Sequence, residues 1–400
     1  MLKKKERIME LDIFRSFAIM AVLFIHATST TLVTTKGTSS YYPFLFVNIF
    51  SKFAVPVFIF LSGFVLFYNY LDKPINKSML KTFYTKRLLY ILVPYILVSF
   101  CYFILNTYAK GKLGLPIGQL GHDFGLQLLK GTAHTHLYYL IIMLQLYILF
   151  PLFLWWFQKQ RSILPWVALI GFAIQWAYIY LNKYGFHLPK EGVYGMGIKL
   201  PLPKGSIAFS YMSFYLFGAL IAAYYAQLKD WLIMTWEGFK SGKGVAWIAL
   251  WAAWLASGIM HVNLYYTLNT RGSKINSLWY EFAWDIHSLL SCIVLLQVSY
   301  LIYRHGWKWL SGALTSMGAC SFGIFLLHPA LLYLYRKIPA HGGTVEYAAR
   351  IAGGWIIALG VSWLVVYIAF RYVSWSWIFF GTAPKRPQKQ TEDNTVKLNM

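Results

Sequence analysis

The chain predicts an all-α, polytopic membrane protein of about ten transmembrane helices with both termini cytoplasmic. Three observations predict it. Hydrophobic residues make up 58% of the 400 positions and charged residues 12%, about half the charge share of an ordinary soluble protein. Apolar runs of about 20 residues, the length that crosses a bilayer, recur from end to end. The basic residues gather in the short loops between those runs. A transmembrane β-barrel would show weaker, alternating segments of about ten residues.

The spans are expected at roughly 11–33, 44–70, 88–108, 137–157, 163–182, 206–227, 244–263, 279–303, 311–335 and 348–373. The basic start Lys3-Lys4-Lys5 before an apolar run is signal-peptide-like. That run is too long for one and contains Arg15 and His26, so it predicts an uncleaved first span entering from the cytoplasm. With the N-terminus inside, the inner loops and termini hold 21 of the 36 Lys and Arg residues and the outer loops 12. That bias places both termini in the cytoplasm, although the outer loop 183–205 alone carries four lysines. Aromatic residues such as Tyr41-Tyr42, Trp155-Trp156, Trp375 and Trp377 crowd the span ends, at headgroup level. Residues 1–381 thus form one transmembrane domain. Residues 382–400 are polar and proline-bearing, as a disordered cytoplasmic tail would be.

A net charge of +23 invites a nucleic-acid partner. The loop placement of that charge argues for topology control and contact with anionic membrane lipids, and no nucleic acid is expected. Cys101, Cys292 and Cys320 fall inside apolar runs, with no disulfide framework and no metal spacing.

The first span carries the most informative residues. Asp12, Arg15 and His26 interrupt an otherwise greasy helix, and ionisable groups in a span are costly enough to suggest function. Eleven helical residues turn through almost three full turns and rise roughly 16 Å, so Arg15 and His26 share a face at different depths. A histidine near neutrality can act as general base. An arginine can bind phosphate or stabilise an oxyanion, and Asp12 can hold it. The structural alternatives are a snorkelling Arg15 and a packing His26. Finding both on one face with Asp12 favours chemistry.

Leu11-Asp12-x-x-Arg15, ten residues and then His26 resembles the first-span signature of the acyltransferase 3 family of integral-membrane O-acyltransferases. Further likenesses follow in order. They are Phe58 to Phe64 with Ser62-Gly63, Lys86-Arg87-Leu88-Leu89 with Pro94, His136-Leu137-Tyr138 through Gln145, Tyr147 and Pro151, and Ser321 to His328. The resemblance covers all ten spans. Three positions depart from it. Tyr90 stands where relatives often have a second arginine, and Met143-Leu144 stand where many relatives have two glutamates. A fused extracellular hydrolase-like domain, present in some relatives, has no counterpart here.

The resemblance implies an acyl-CoA-dependent enzyme, with acyl-CoA as donor substrate and no bound cofactor or metal. His26 would be the base, Arg15 and Asp12 its catalytic partners. Arg87 and Lys86, beside a span on the cytoplasmic side, would meet the donor's phosphates. His136 and His328, at or near span ends, would orient the acceptor or only cap helices. Glu281 and Asp285, on one face of span eight near His287, could do acid–base work or pair with Lys52 or Arg350. Ser62 could bond the donor or simply pack beside Gly63. The expected reaction moves an acyl group, acetyl first, to a hydroxyl of a cell-surface or lipid-linked glycan at a bacterial plasma membrane. A polysaccharide or small-molecule exporter is the alternative. Neither an internal repeat nor Gly/Pro-broken helix pairs in matching halves support it.

Overall fold

A computed structural model describes residue 5 and residues 7–184, 204–270, 276–338 and 342–382. Nearly all of the expected tail lies outside the described residues, as do Lys3, Lys4, Lys190 and Lys199. No strand occurs among the described residues. Eight helical segments are long and apolar enough to cross a bilayer, and two sharply bent pairs bring the number to ten if each pair is one span.

Helix α1 (Glu10–Thr34) crosses without a break, and Glu10 and Asp12 complement the positive end of its dipole. Helix α2 (Tyr41–Tyr70) returns through a single 3-10 turn at Ser51–Phe53. Helix α3 (Lys77–Ala109) starts on an Asn76 side chain that accepts the Met79 N–H at 2.8 Å. It widens into a π turn at Leu88–Leu92, just before Pro94. Proline has no N–H to give the preceding turn, and the wider turn relieves that mismatch. Helix α4 (Ile117–Lys130) is amphipathic and ends on Gly131 in the left-handed conformation.

Helices α5 (Tyr138–Lys159) and α6 (Arg161–Tyr184) form the next two spans. The sixth span is broken: α7 (Ala208–Ala223) and α8 (Tyr225–Leu232) meet at 94°. Two glutamines from the neighbouring spans fix α7. Gln145 donates to the Ser206 carbonyl at 2.8 Å and accepts the Ala208 N–H at 3.0 Å. Gln175 accepts from the Ser213 N–H at 3.1 Å and from its hydroxyl at 2.7 Å. Gly63 of α2 and Gly218 of α7 let the two backbones touch: each lies against a carbonyl of the other helix, Tyr215 and Phe60 respectively. Small residues at such crossings replace the hydrophobic drive that lipid removes.

Helices α9 (Gly242–Thr270) and α10 (Ser277–His305) are long and straight enough to span. The ninth span is broken like the sixth: α11 (Lys308–Ala319) and α12 (Ser321–Tyr335) meet at 78° around Cys320. Helix α13 (Thr344–Tyr372) completes the bundle. The sequence showed no Gly/Pro-broken helix pairs, yet two helix pairs are sharply bent. Neither break carries a proline or glycine at the bend itself, which is occupied by Tyr224 and by Cys320.

Helix α1 is the central post, packed against α2, α10, α11, α12 and α13. Where it starts (the near end), Asp72 clasps the loops together, taking Lys5 at 2.9 Å and Arg161 at 3.3 Å. Those bonds, Lys5 first, hold the Asp72 carboxyl below the usual range. The opposite end, where α1 finishes, is the far end.

Candidate functional site

At the near end α1, α2, α3, α5 and α12 enclose a cavity of about 180 Å3. Its lining includes Arg15, Ser62, Arg87, Tyr139, Ser321 and Phe325. Asp12 is 2% exposed and bonds two guanidiniums, one to each oxygen: Arg15 at 2.6 Å and Arg7 at 2.6 Å. A single carboxylate against two cations leaves net positive charge beside the cavity. Arg87 has a different environment. Its guanidinium lies 4.9 Å from the Tyr147 ring centre and 5.5 Å from that of Phe83. Its buried Nε has no hydrogen-bond partner among the described residues. A buried donor left open in this way calls for a ligand acceptor. Ser321, the first residue of α12, brings a helix N-terminus to the same cavity, where the dipole favours negative charge. The bend at Cys320 is what places that terminus inside the bundle.

Deeper along α1, four histidines meet. His26 is half-buried, and its ring lies 5.1 Å from that of His328 on α12. His328 lies 5.5 Å from His136, and His136 lies 4.9 Å from His134, both in the turn before α5. His134 and His136 share a hydrogen bond between their Nδ1 atoms at 2.9 Å. His328 Nδ1 lies 3.1 Å from the Ile324 carbonyl, so Nδ1 carries the proton and Nε2 is left as an acceptor. The Nε2 atoms of His136 and His328 are buried without a partner among the described residues. Burial, with the Arg336 charge adding to it, holds His134 below the usual histidine range, and burial holds His136 well below it. Both are therefore neutral at pH 7, able to accept as well as donate.

Tyr102 of α3 locks this arrangement. Its hydroxyl donates to the Leu326 carbonyl at 2.9 Å and accepts the Ala330 N–H at 3.2 Å. Those two groups would bond each other in an unbroken helix. Pro329 lies between them, and Tyr102 bridges the opened turn.

A thin aromatic wall separates cavity and histidines. Phe325 and Tyr139, 5.3 Å apart, line the cavity on one side, and Phe325 lies 5.0 Å from His136 on the other.

The structure therefore brings together Asp12, Arg15 and Arg87 at the cavity, and His26, His136 and His328 beyond the wall. Lys86 is exposed and does not line the cavity. Glu281 and Asp285 belong to neither group. Asp285 is buried and accepts from Gln175 Nε2 at 2.6 Å and from Trp176 Nε1 at 2.8 Å, tying α6 to α10. His287 sits between the Phe50 and Trp254 carbonyls. Lys52 donates to the Tyr280 hydroxyl at 3.3 Å and lies 4.5 Å from the Tyr265 ring centre. Ser62 lines the cavity while Gly63 makes the helix contact. His134 and Tyr102 escaped the sequence reading. The His134-x-His136 spacing was a visible signal for the first; nothing local marked the second.

The sequence pattern of one known family, described as an acyltransferase domain, matches residues 8–375. No curated protein matches the chain, and no solved structure does.

Proposed function

The chain belongs to the acyltransferase 3 family, and from that premise we propose that it moves an acyl group, acetyl first, from acyl-CoA to a hydroxyl of a cell-surface or lipid-linked glycan at a bacterial plasma membrane. That it is a multi-pass membrane acyltransferase follows from the family and the helices. The two-sided site carries the finer reading: cations and a helix N-terminus on one side of Phe325, histidines with unpartnered Nε2 atoms on the other.

The loop charges make the near end cytoplasmic, where acyl-CoA is available. A cavity of about 180 Å3 is smaller than the roughly 300–1,000 Å3 of a site enclosing a drug-sized ligand. It takes only part of the donor: the phosphates lie at Arg87, Arg15 and the exposed Lys86, and the pantetheine arm carries the thioester on toward Phe325 and His26. The acceptor approaches from the far end. His26 takes the proton of its hydroxyl as the oxygen attacks the thioester carbonyl. The carbon–sulfur bond breaks, and the thiolate takes that proton back from His26 and leaves toward the cytoplasm as the thiol. His328 and His136 orient the hydroxyl through their open Nε2 atoms. The Arg15 charge and the α12 N-terminus, at the near-end cavity, favour the donor's phosphates.

The test uses purified protein in liposomes with labelled acyl-CoA and candidate glycans. Acylated glycan is expected. Glycan crossing the bilayer with no acylated product from any donor would overturn the proposal and favour an exporter. That second reading has one observation behind it, the two broken spans, a feature that transporters use at substrate sites.

Arg87→Gln is expected to raise KM for acyl-CoA about tenfold or more, as losing a charge-assisted bond to phosphate would. Donor titration at fixed acceptor checks it, and an unchanged KM removes Arg87 from the donor site.

A further inference from the structure

The far end of the bundle holds a second cationic site, one that the proposed chemistry leaves unused. Arg336 follows α12, and Arg350 lies in the second turn of α13. Arg336 donates to the His26 carbonyl and, at 3.0 Å, to Ser29 Oγ. Arg350 donates to the Ile338 carbonyl at 2.5 Å and to the Arg336 carbonyl at 3.0 Å. These acceptors are neutral, and neither arginine forms an ion pair with a described carboxylate. Glu346, the acidic residue one turn back on α13, sits at its exposed start. Exposed Lys36 and Lys337 add positive charge at the same end.

Two half-buried arginines, one bonded to the backbone of the other, set like charges near each other. Burial, and then the Arg350 charge, hold Arg336 below its usual pKa. An anion between them removes that cost. Guanidinium forks match the paired oxygens of phosphate and carboxylate, which a lone ammonium does not. The site adjoins the histidines: Arg336 bonds to the backbone of His26 itself.

We infer that the acceptor is an anionic molecule, whose phosphate or carboxylate seats on Arg336 and Arg350 while its hydroxyl reaches His26. This rests on His26 acting as the base of acyl transfer. The shared chemistry is an oxyanion, supplied by the phosphate of a lipid-linked sugar or by the carboxylate of an acidic sugar.

The experiment uses the full-length protein in phosphatidylcholine nanodiscs with acetyl-CoA as donor. Three acceptors are compared: polyprenyl-phosphate-linked glucose, a glucuronate-containing oligosaccharide and a neutral glucose oligosaccharide. The wild type is expected to prefer at least one anionic acceptor by about tenfold or more in kcat/KM, a preference that weakens as salt rises. Arg350→Gln should bring that ratio close to one, and Arg350→Lys should keep part of it. No preference, or one that Arg350→Gln and salt both leave intact, would overturn the inference. So would loss of the preference in phosphatidylglycerol nanodiscs, because the site would then belong to lipid headgroups. If acetyl-CoA is not turned over in a His26-dependent way, the proposed function fails. Binding of the same acceptors, fluorescently labelled, then decides the inference: a tenfold weaker Kd in Arg350→Gln for the anionic ones alone supports it, and equal Kd values overturn it.

Discussion

Replacing His26 with alanine is expected to cut acyl transfer by about 10²–10⁴-fold, the usual worth of a positioned general base, while the protein stays folded. Its side chain is half-buried, and its ring faces the His328 ring. The long-range bond at this position, from Arg336, goes to the His26 backbone carbonyl and survives the substitution. Stability should therefore change little, and the loss should appear in kcat rather than in KM for the donor. The informative comparison is His328→Ala. His328 has its Nδ1 committed to the Ile324 carbonyl and its Nε2 open, so it is the rival base. Full transfer by His26→Ala together with abolished transfer by His328→Ala would move the base to α12 and leave the family assignment untouched.

Gly318→Ala is expected to cost about 3 kcal/mol or more of stability, at or beyond the upper end of ordinary overpacking. At this position a methyl group would sit on the Asp12 backbone carbonyl of α1. Neither partner is a flexible side chain tip that could swing away, so α1 and α11 must separate. The same residue, Asp12, holds Arg7 and Arg15 through its carboxylate. Separation at Gly318 therefore also displaces the cation at the cavity. A fall in the thermal midpoint on the order of 5 °C or more is expected in detergent, with a raised donor KM. An unchanged midpoint would mean that the helices are not in backbone contact at this crossing.

Much of the fold was legible because lipid imposes one simple rule, a long apolar helix for each crossing. The ten runs and the shared face of Arg15 and His26 follow from length and from 3.6 residues per turn. The two bends did not: hydrophobicity continues through Cys320, the break at Tyr224 falls where the apolar run is already ending in Gln227, Lys229 and Asp230, and no glycine or proline occupies either bend. The site was legible where its residues lie on one helix. It was opaque where distant segments converge. His26, the His134–His136 turn and His328 come from three separate parts of the chain, and no local pattern announces their meeting. Glu281 and Asp285 show the opposite limit. Their spacing suits chemistry, yet Asp285 is taken up by Gln175 and Trp176, a cross-helix bond that only the packed bundle displays.

The Phe325–Tyr139 pair has a consequence for the membrane as a barrier. A recess holding two arginines at one end of the bundle and a cluster of titratable rings farther along it would, if joined by water across the bilayer, short-circuit it. Two aromatic side chains form the insulation between them. An acyl group is small and uncharged enough to pass where neither a nucleotide nor a hydrated ion can follow. In the proposed reaction, an opening between the two rings just wide enough for the acyl group would let a chemical bond be exchanged across the membrane while the electrical potential over it is kept.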